Sequence, residues 1–196
     1  FRDQLCAKLG AAHTDASVWM VLQAHGNFNL AAFDPNRTDG LRQPTARELR
    51  KQFWVSIGEG VRGIFWFIAH NEAWWKGLFD PSRSDCLAVV SELAERLTPA
   101  IRAVLLESRK VAAGVFWATG GGNTANGYAN AYCSTLQGAD GSLSVVVCNE
   151  SLSTASVTVS SALTGTLVNL ENGQSTVVGG TVSLPALDGS IWRWLG

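Results

Sequence analysis

The stretch that decides the fold is Glu59-Gly-Val-Arg-Gly-Ile-Phe-Trp-Phe-Ile-Ala-His70-Asn71-Glu72-Ala-Trp74-Trp75. Its uncharged run from Gly63 to Ala69 is short and rich in β-branched and aromatic residues. Such a run predicts a strand buried on both faces, as in parallel sheets. It is entered through glycines and breaks abruptly into His-Asn-Glu and two tryptophans.

Working outward, Val18-Trp-Met-Val-Leu-Gln23 is a second apolar run, and it too ends in polar groups: Gln23, His25 and Asn27. An aperiodic stretch follows as far as Pro44, with Asp34-Pro35 and Asp39-Gly40 inside it. A loop that long is usually functional or disordered. Pro44-Thr45-Ala-Arg-Glu48 then opens a helix, and Thr45 with Glu48 have the spacing of a capping box, so Glu48 reads as a cap rather than a catalyst. Leu49, Phe53 and Ile57, with Trp54 beside them, form its apolar stripe, and Gly58 and Gly60 end it. Downstream, Leu87, Val90, Leu93, Ala94 and Leu97 mark an amphipathic helix broken at Pro99, which can start a short helix over 100–107. With a first helix over Phe1 to Leu9, the order is helix, strand, long loop, helix, strand, long loop, helix.

Two such βα units are a quarter of an eight-unit barrel. The run after Glu59 reads as the last strand of that barrel, most of which is absent. The only methionine is Met20 and the chain opens on Phe1; an excerpt of a longer chain is expected.

Composition shifts near residue 118. From Thr119 to Gly196 the only basic residue is Arg193, while Ser, Thr, Val and Gly dominate. Short strands separated by Asp140-Gly141, Asn172-Gly173, Gly179-Gly180 and Asp188-Gly189 argue for an antiparallel sandwich. The expected fold class is therefore α/β plus all-β: a partial (β/α)8 barrel over 1–110 and an antiparallel β-sandwich over 111–196.

A net charge of −1 leaves no electrostatic footprint for nucleic acid or an anionic membrane. No apolar run reaches the roughly 20 residues of a membrane span. Four cysteines, Cys6, Cys86, Cys133 and Cys148, form no CxxC or Cys/His cluster, so neither a metal nor another cofactor is expected. If Asp140-Gly141 is a two-residue loop, facing positions place Cys133 opposite Cys148 at a separation a disulfide can span. Two buried free thiols are the alternative; a Cys6–Cys86 bridge is a weaker one.

In a barrel, residues entering a strand lie on the stability face and those just after it on the catalytic face. Glu59, Arg62, His13 and Asp15 are discounted on that ground. What remains is Gln23, His25, Asn27, the loop carboxylates Asp34 and Asp39, then His70, Asn71, Glu72, Trp74 and Trp75; Trp66 in the strand joins the substrate-binding candidates. Amides and imidazoles bond hydroxyls, and indole faces pack on the apolar face of a pyranose. The plainer reading makes Trp74 and Trp75 rim covers and His70 a structural histidine.

Val-Trp-Met-Val-Leu-Gln23-Ala-His, Pro44-Thr-Ala-Arg-Glu48-Leu-Arg and Gly60-Val-Arg-Gly-Ile-Phe-Trp-Phe resemble the seventh and eighth units of glycoside-hydrolase-like barrels. The remainder, with Leu143-Ser-Val-Val-Val-Cys-Asn149-Glu, resembles the small β-sandwich that follows many such barrels. The resemblance implies two carboxylates flanking a glycosidic bond. In retaining members of the large barrel clan the acid ends the fourth strand and the nucleophile Glu ends the seventh. The fourth strand is not in this chain, and Gln23, which cannot ionise, stands at the seventh strand's end. Either another carboxylate such as Glu72 or Asp34 serves, or the scheme differs, or the barrel binds sugar without cleaving it. The resemblance further implies an oligo- or polysaccharide partner, an absent upstream barrel portion, and an extracellular or periplasmic location. A non-catalytic sugar-binding sandwich using Trp117, Tyr128, Tyr132, Trp192 or Trp194, or an inactive structural fragment, is the competing expectation.

Overall fold

The computed structural model describes residues 18–24, 26–27, 43–67, 69–71, 75–111, 114–123 and 129–196. The helix expected over 1–9, Cys6, the long loop with Asp34 and Asp39, and Tyr128 lie outside them.

The two apolar runs pair as parallel strands. Trp19–Gln23 (β1) lies beside Gly63–Phe67 (β3), with Trp19 opposite Gly63 and Gln23 opposite Phe67. Between them come the short Gly26–Asn27 (β2) and the helix Ala46–Gly58 (α1). Parallel neighbours need such a crossover. Thr45 caps α1 as its sequence predicts: its hydroxyl accepts from the Glu48 N–H at 3.3 Å, and the Glu48 carboxylate accepts from the Thr45 N–H at 2.8 Å.

One expectation for these strands is corrected. Leu22 and Ala24 are buried and Ile64 and Trp66 pack against the helical core. On the opposite face Trp19, Val21, Phe65 and Phe67 are 59, 60, 55 and 48% exposed, and Trp19 stacks on Phe65 with ring centroids 5.2 Å apart. A continuous apolar run signals two faces that avoid water; the described residues supply a helical cover for only one.

Trp75–Lys76 (β4) follows β3, then a 3-10 turn Pro81–Arg83, the helix Ser84–Arg96 (α2) and the helix Pro99–Glu107 (α3). Thr98 caps α3 by accepting from the Ile101 N–H at 3.3 Å, with Pro99 in the first turn, where its missing N–H costs nothing.

The sandwich strands are Ser108–Lys110 (β5), Phe116–Gly120 (β6), Ala131–Gly138 (β7), Leu143–Asn149 (β8), Ala155–Ser161 (β9), Thr166–Asn169 (β10), Ser175–Val177 (β11), Thr181–Leu184 (β12) and Gly189–Leu195 (β13). Six of them form one sheet in the order β11-β10-β13-β8-β7-β5, and three form a second in the order β12-β9-β6. All pairings in both sheets are antiparallel.

The larger sheet is buried on both sides, which produces two cores. Tyr132, Leu136, Val146, Cys148 and Ile191 face the helices, where Leu49, Phe53, Trp54, Ile57, Leu93 and Ile101 meet them. Val145, Val147, Leu167 and Trp192 point the other way, onto Phe116, Val157, Val159, Val182 and Leu184. This two-sided burial explains why β8 reads Val145-Val-Val-Cys148 without a polar break.

The Asp140-Gly141 hairpin changes in register. Cys133 lies opposite Val147 and Tyr132 opposite Cys148. The Gly138 N–H donates to the Ser142 carbonyl at 2.9 Å, so the connection is the three-residue loop 139–141, closed by Gly141 at φ 81°. One residue more than a two-residue loop moves every side chain of a strand to the other face. Cys148 therefore joins the helical core while Cys133 packs against the inter-sheet core, and both thiols are free. The Cys133–Cys148 bridge is excluded by that slip. The second hairpin likewise has a four-residue loop, 170–173, closed by the Asn169 N–H to the Gln174 carbonyl at 2.8 Å.

Polar bonds tie the helical layer to the large sheet. The Arg96 guanidinium donates to both Asp188 oxygens at 2.8 and 3.0 Å, to Glu171 at 2.6 Å and to the Gly189 carbonyl at 2.8 Å, and it lies 4.8 Å over the Trp54 ring. At the other end of α1, Glu59 accepts from Lys110 at 2.6 Å and from the Tyr132 hydroxyl at 2.7 Å.

Candidate functional site

The carboxyl ends of β1 and β3 are drawn together by the chain that follows each. The Ala24 N–H donates to the Phe67 carbonyl at 2.7 Å, extending the parallel ladder by one bond. Beyond it β2 and β4 pair antiparallel, Gly26 opposite Lys76 and Asn27 opposite Trp75. The two post-strand segments thus form a small zipper across the strand ends. The turn at 69–71 is held from below: the Phe79 N–H donates to the Ala69 carbonyl at 2.8 Å, and the Gly77 N–H to Asn71 Oδ1 at 3.0 Å.

Within this frame Gln23 is half-buried at the last position of β1. His70 and Asn71 are exposed on the turn that leaves β3. Asn71 spends its side-chain oxygen on Gly77, which fixes the turn and leaves the amide nitrogen as its remaining bonding group. Trp66 is half-buried and packs against the helical core with Ile64, so it lies on the helix side of β3. The backbone of Trp75 is in β4. His25, Glu72 and Trp74 lie outside the described residues, as does the side chain of Trp75. Gln23, His70 and Asn71 are therefore the candidates the structure brings to one end of the parallel pair.

A cluster that the sequence reading passed over stands beside them. Lys76 Nζ lies 3.2 Å from Ser82 Oγ and 3.8 Å from Asp80. Asp80 caps the 3-10 turn by accepting from the Ser82 N–H at 2.9 Å, and it also bonds the Ser82 hydroxyl. Those two bonds, with Lys76 nearby, hold its carboxyl below the usual range, so it stays ionised. The lysine four residues before Asp80 carries no motif of its own. Arg83, buried behind the turn, donates to the Pro44 carbonyl and lies against Cys86 Sγ, each at 3.2 Å. That arginine locks the start of α1 to the start of α2.

Chemically, this end offers an amide, an imidazole, a second amide and an ammonium group, all suited to hydroxyl-bearing ligands. Among the described residues no group of three His, Cys, Asp or Glu side chains is placed to hold a metal ion. No described helix is long and apolar enough to cross a membrane.

No family model matches the chain, and no curated protein matches it. Solved structures do. A GH27 β-L-arabinopyranosidase from Geobacillus stearothermophilus superposes over 100% of this chain with a TM-score of 0.51 at 15% identity. A Bacteroides fragilis protein carrying an alpha-galactosidase assignment covers 81% of the chain with a TM-score of 0.46 at 12% identity. An exo-carrageenase of GH42 from Bacteroides ovatus covers 67% at a TM-score of 0.34 and 10% identity. The chain spans 40, 31 and 14% of those three chains respectively. At these identities the first likeness speaks for the fold: mixed α/β with substantial antiparallel β, similar to part of a glycoside hydrolase.

Proposed function

We propose that this chain supplies one wall of the sugar cleft of a carbohydrate-active enzyme that hydrolyses glycosidic bonds, and that its parallel pair is the last two βα units of a (β/α)8 barrel. The observation that carries the reading is the parallel pair itself. Polar Gln23, His70 and Asn71 gather at its carboxyl end, where barrels place their chemistry. Its uncovered face presents Trp19, Val21, Phe65 and Phe67, as strands lining a barrel interior would. The division at residue 110, the partners Gln23, His25, His70, Asn71, Glu72, Trp74 and Trp75, and the saccharide ligand belong to this proposal, whereas Trp66, packed on the helix side of β3, drops out of it. So do the upstream barrel units and an extracellular or periplasmic location.

In this scheme Gln23 and Asn71 bond sugar hydroxyls, His70 bonds or positions a third, and the reacting carboxylates come from elsewhere in the barrel. Gln23 cannot serve as nucleophile, since a neutral amide has no ionised oxygen to attack with.

The coding sequence upstream of Phe1 tests the proposal. Six further βα units with a carboxylate closing the fourth strand are expected; an unrelated domain there would overturn it. In the enzyme so completed, Asn71→Asp, which keeps the oxygen that accepts from Gly77 and removes the amide donor, is expected to raise KM with little change in Tm. An Asn71→Asp enzyme with unchanged kinetics would remove Asn71 from the cleft.

A further inference from the structure

The two sandwich sheets are unequal, six strands against three, and their apolar interface does not extend to the end of the larger one. Where it stops, a cavity of about 550 Å³ opens between β12, the β10–β11 hairpin and the floor made by β10 and β13. That volume falls in the range of small-molecule sites. The cavity lies in the sandwich, apart from the strand-end site.

Its floor changes character abruptly. Leu167 lies opposite Trp194, and both pack in the inter-sheet core. Two residues on, Asn169 lies opposite Trp192, with Ser190 two residues before Trp192 on the same strand face. Asn169 and Ser190 are 6 and 3% exposed, and both line the cavity.

Their bonding is incomplete in one sense only. Asn169 Oδ1 accepts from the Glu171 N–H at 2.7 Å, while its Nδ2 makes no hydrogen bond to any described residue. Ser190 Oγ accepts from Trp192 Nε1 at 2.7 Å, which leaves its own proton to give. Neither side chain gives a proton to a described residue, so water entering the cavity is the acceptor that a ligand oxygen would replace.

The charges on the wall offer no site for an anion or a metal. Arg96 is matched by Glu171 and Asp188, and that bonding occupies both carboxylates. The remaining walls are uncharged: amides and hydroxyls from Gln174, Ser175, Thr176 and Thr181, with apolar Val182, Leu184 and Pro185.

We propose that this cavity is a second ligand site, binding a neutral sugar unit through the Asn169 amide and the Ser190 hydroxyl. Acceptors from the sugar's own hydroxyls meet the two donors, and the ring edge rests near Trp192. The site is non-catalytic, and its occupancy does not depend on the barrel chemistry.

The test uses the full chain and free D-galactose, L-arabinose and D-glucose as probes, followed by perturbation of the Trp192 indole N–H signal. Saturable binding of at least one sugar is expected. Asn169→Asp keeps the acceptor to Glu171 and removes the donor; it should weaken that binding about tenfold, the worth of one hydrogen bond to a ligand. Gln174→Trp, at the exposed rim, should block entry without touching either donor. Binding that persists unchanged in both variants, or no saturable shift at Trp192 with any of the three sugars, overturns the proposal. Because hydrolysis is not measured, failure here leaves the cleft reading standing, and the reverse also holds.

Discussion

Trp54 and Asp188 meet across the boundary between the helical layer and the large sheet: Trp54 Nε1 donates to Asp188 Oδ1 at 2.9 Å. The contact is tight enough that Gly189 has no room for a side chain, since a Cβ there would stand 2.6 Å from Trp54 Cγ. Asp188 also receives Arg96, so one buried carboxylate serves an indole and a guanidinium at once. Asp188→Ala should therefore lower stability by about 3 kcal/mol, because it takes the acceptor from the buried Trp54 indole and one of the two carboxylates from Arg96, which keeps Glu171. At this chain length that is a drop in Tm of about 10 °C, read by calorimetry. Trp54→Phe should cost less, and the double variant should cost less than the sum of the two.

Glu59 is nearly inaccessible between Lys110 and Tyr132. Tyr132→Phe should cost about 1 kcal/mol in urea denaturation, the value of one hydrogen bond. Lys110→Ala should cost more than a surface pair would, because it strands the buried carboxylate, even though the lysine itself is 35% exposed. Equal and negligible costs for both would show that the bonds are not maintained in solution.

The cysteines make a redox and pH prediction together. Cys133 and Cys148 sit on opposite faces of the large sheet, so reductant should leave Tm unchanged. Burial raises the Cys133 thiol to about 12, and burial raises Cys148 and Cys86 as well. A folded-state pKa above the unfolded value of about 8.5 favours the folded chain while the thiol stays protonated. Stability from this source should be constant below about pH 8.5 and fall as pH rises toward 12. Alanine at Cys133 should flatten that decline.

The uncovered face of β1 and β3 predicts association. Trp19, Val21, Phe65 and Phe67 are each about half exposed or more on one strand face, and contiguous apolar surface of this kind favours association. The chain alone should self-associate with concentration in light scattering. Val21→Thr with Phe65→Thr should shift it toward monomer with little loss of Tm. A strictly monomeric parent would show that the face is already covered.

Local rules made several elements legible in the sequence. The Thr45–Glu48 box marked the start of α1, and the spacing of Leu49, Phe53 and Ile57 marked its face. Asp140-Gly141 marked a turn, but turn residues do not count the loop, and one extra residue reversed which core each cysteine entered. The width of burial on α1 was also a missed signal. Leu49 and every residue from Phe53 to Gly58 are buried, more than one apolar stripe needs, because the helix packs against both the parallel pair and the large sheet. The candidate site was legible as residue types at strand ends. Lys76 and the Asn169–Ser190 floor were not, since their placement arises from pairings between distant strands.

That double duty of α1 has a practical consequence for anyone recombining such chains. The roof of the sandwich is encoded upstream of it, in residues 46–107, with Trp54, Glu59 and Arg96 as its fastenings. A graft that moves only the antiparallel strands to a new host would arrive with the helix-facing side of β8, Val146 and Cys148, exposed to water. The transplantable piece begins at Thr45.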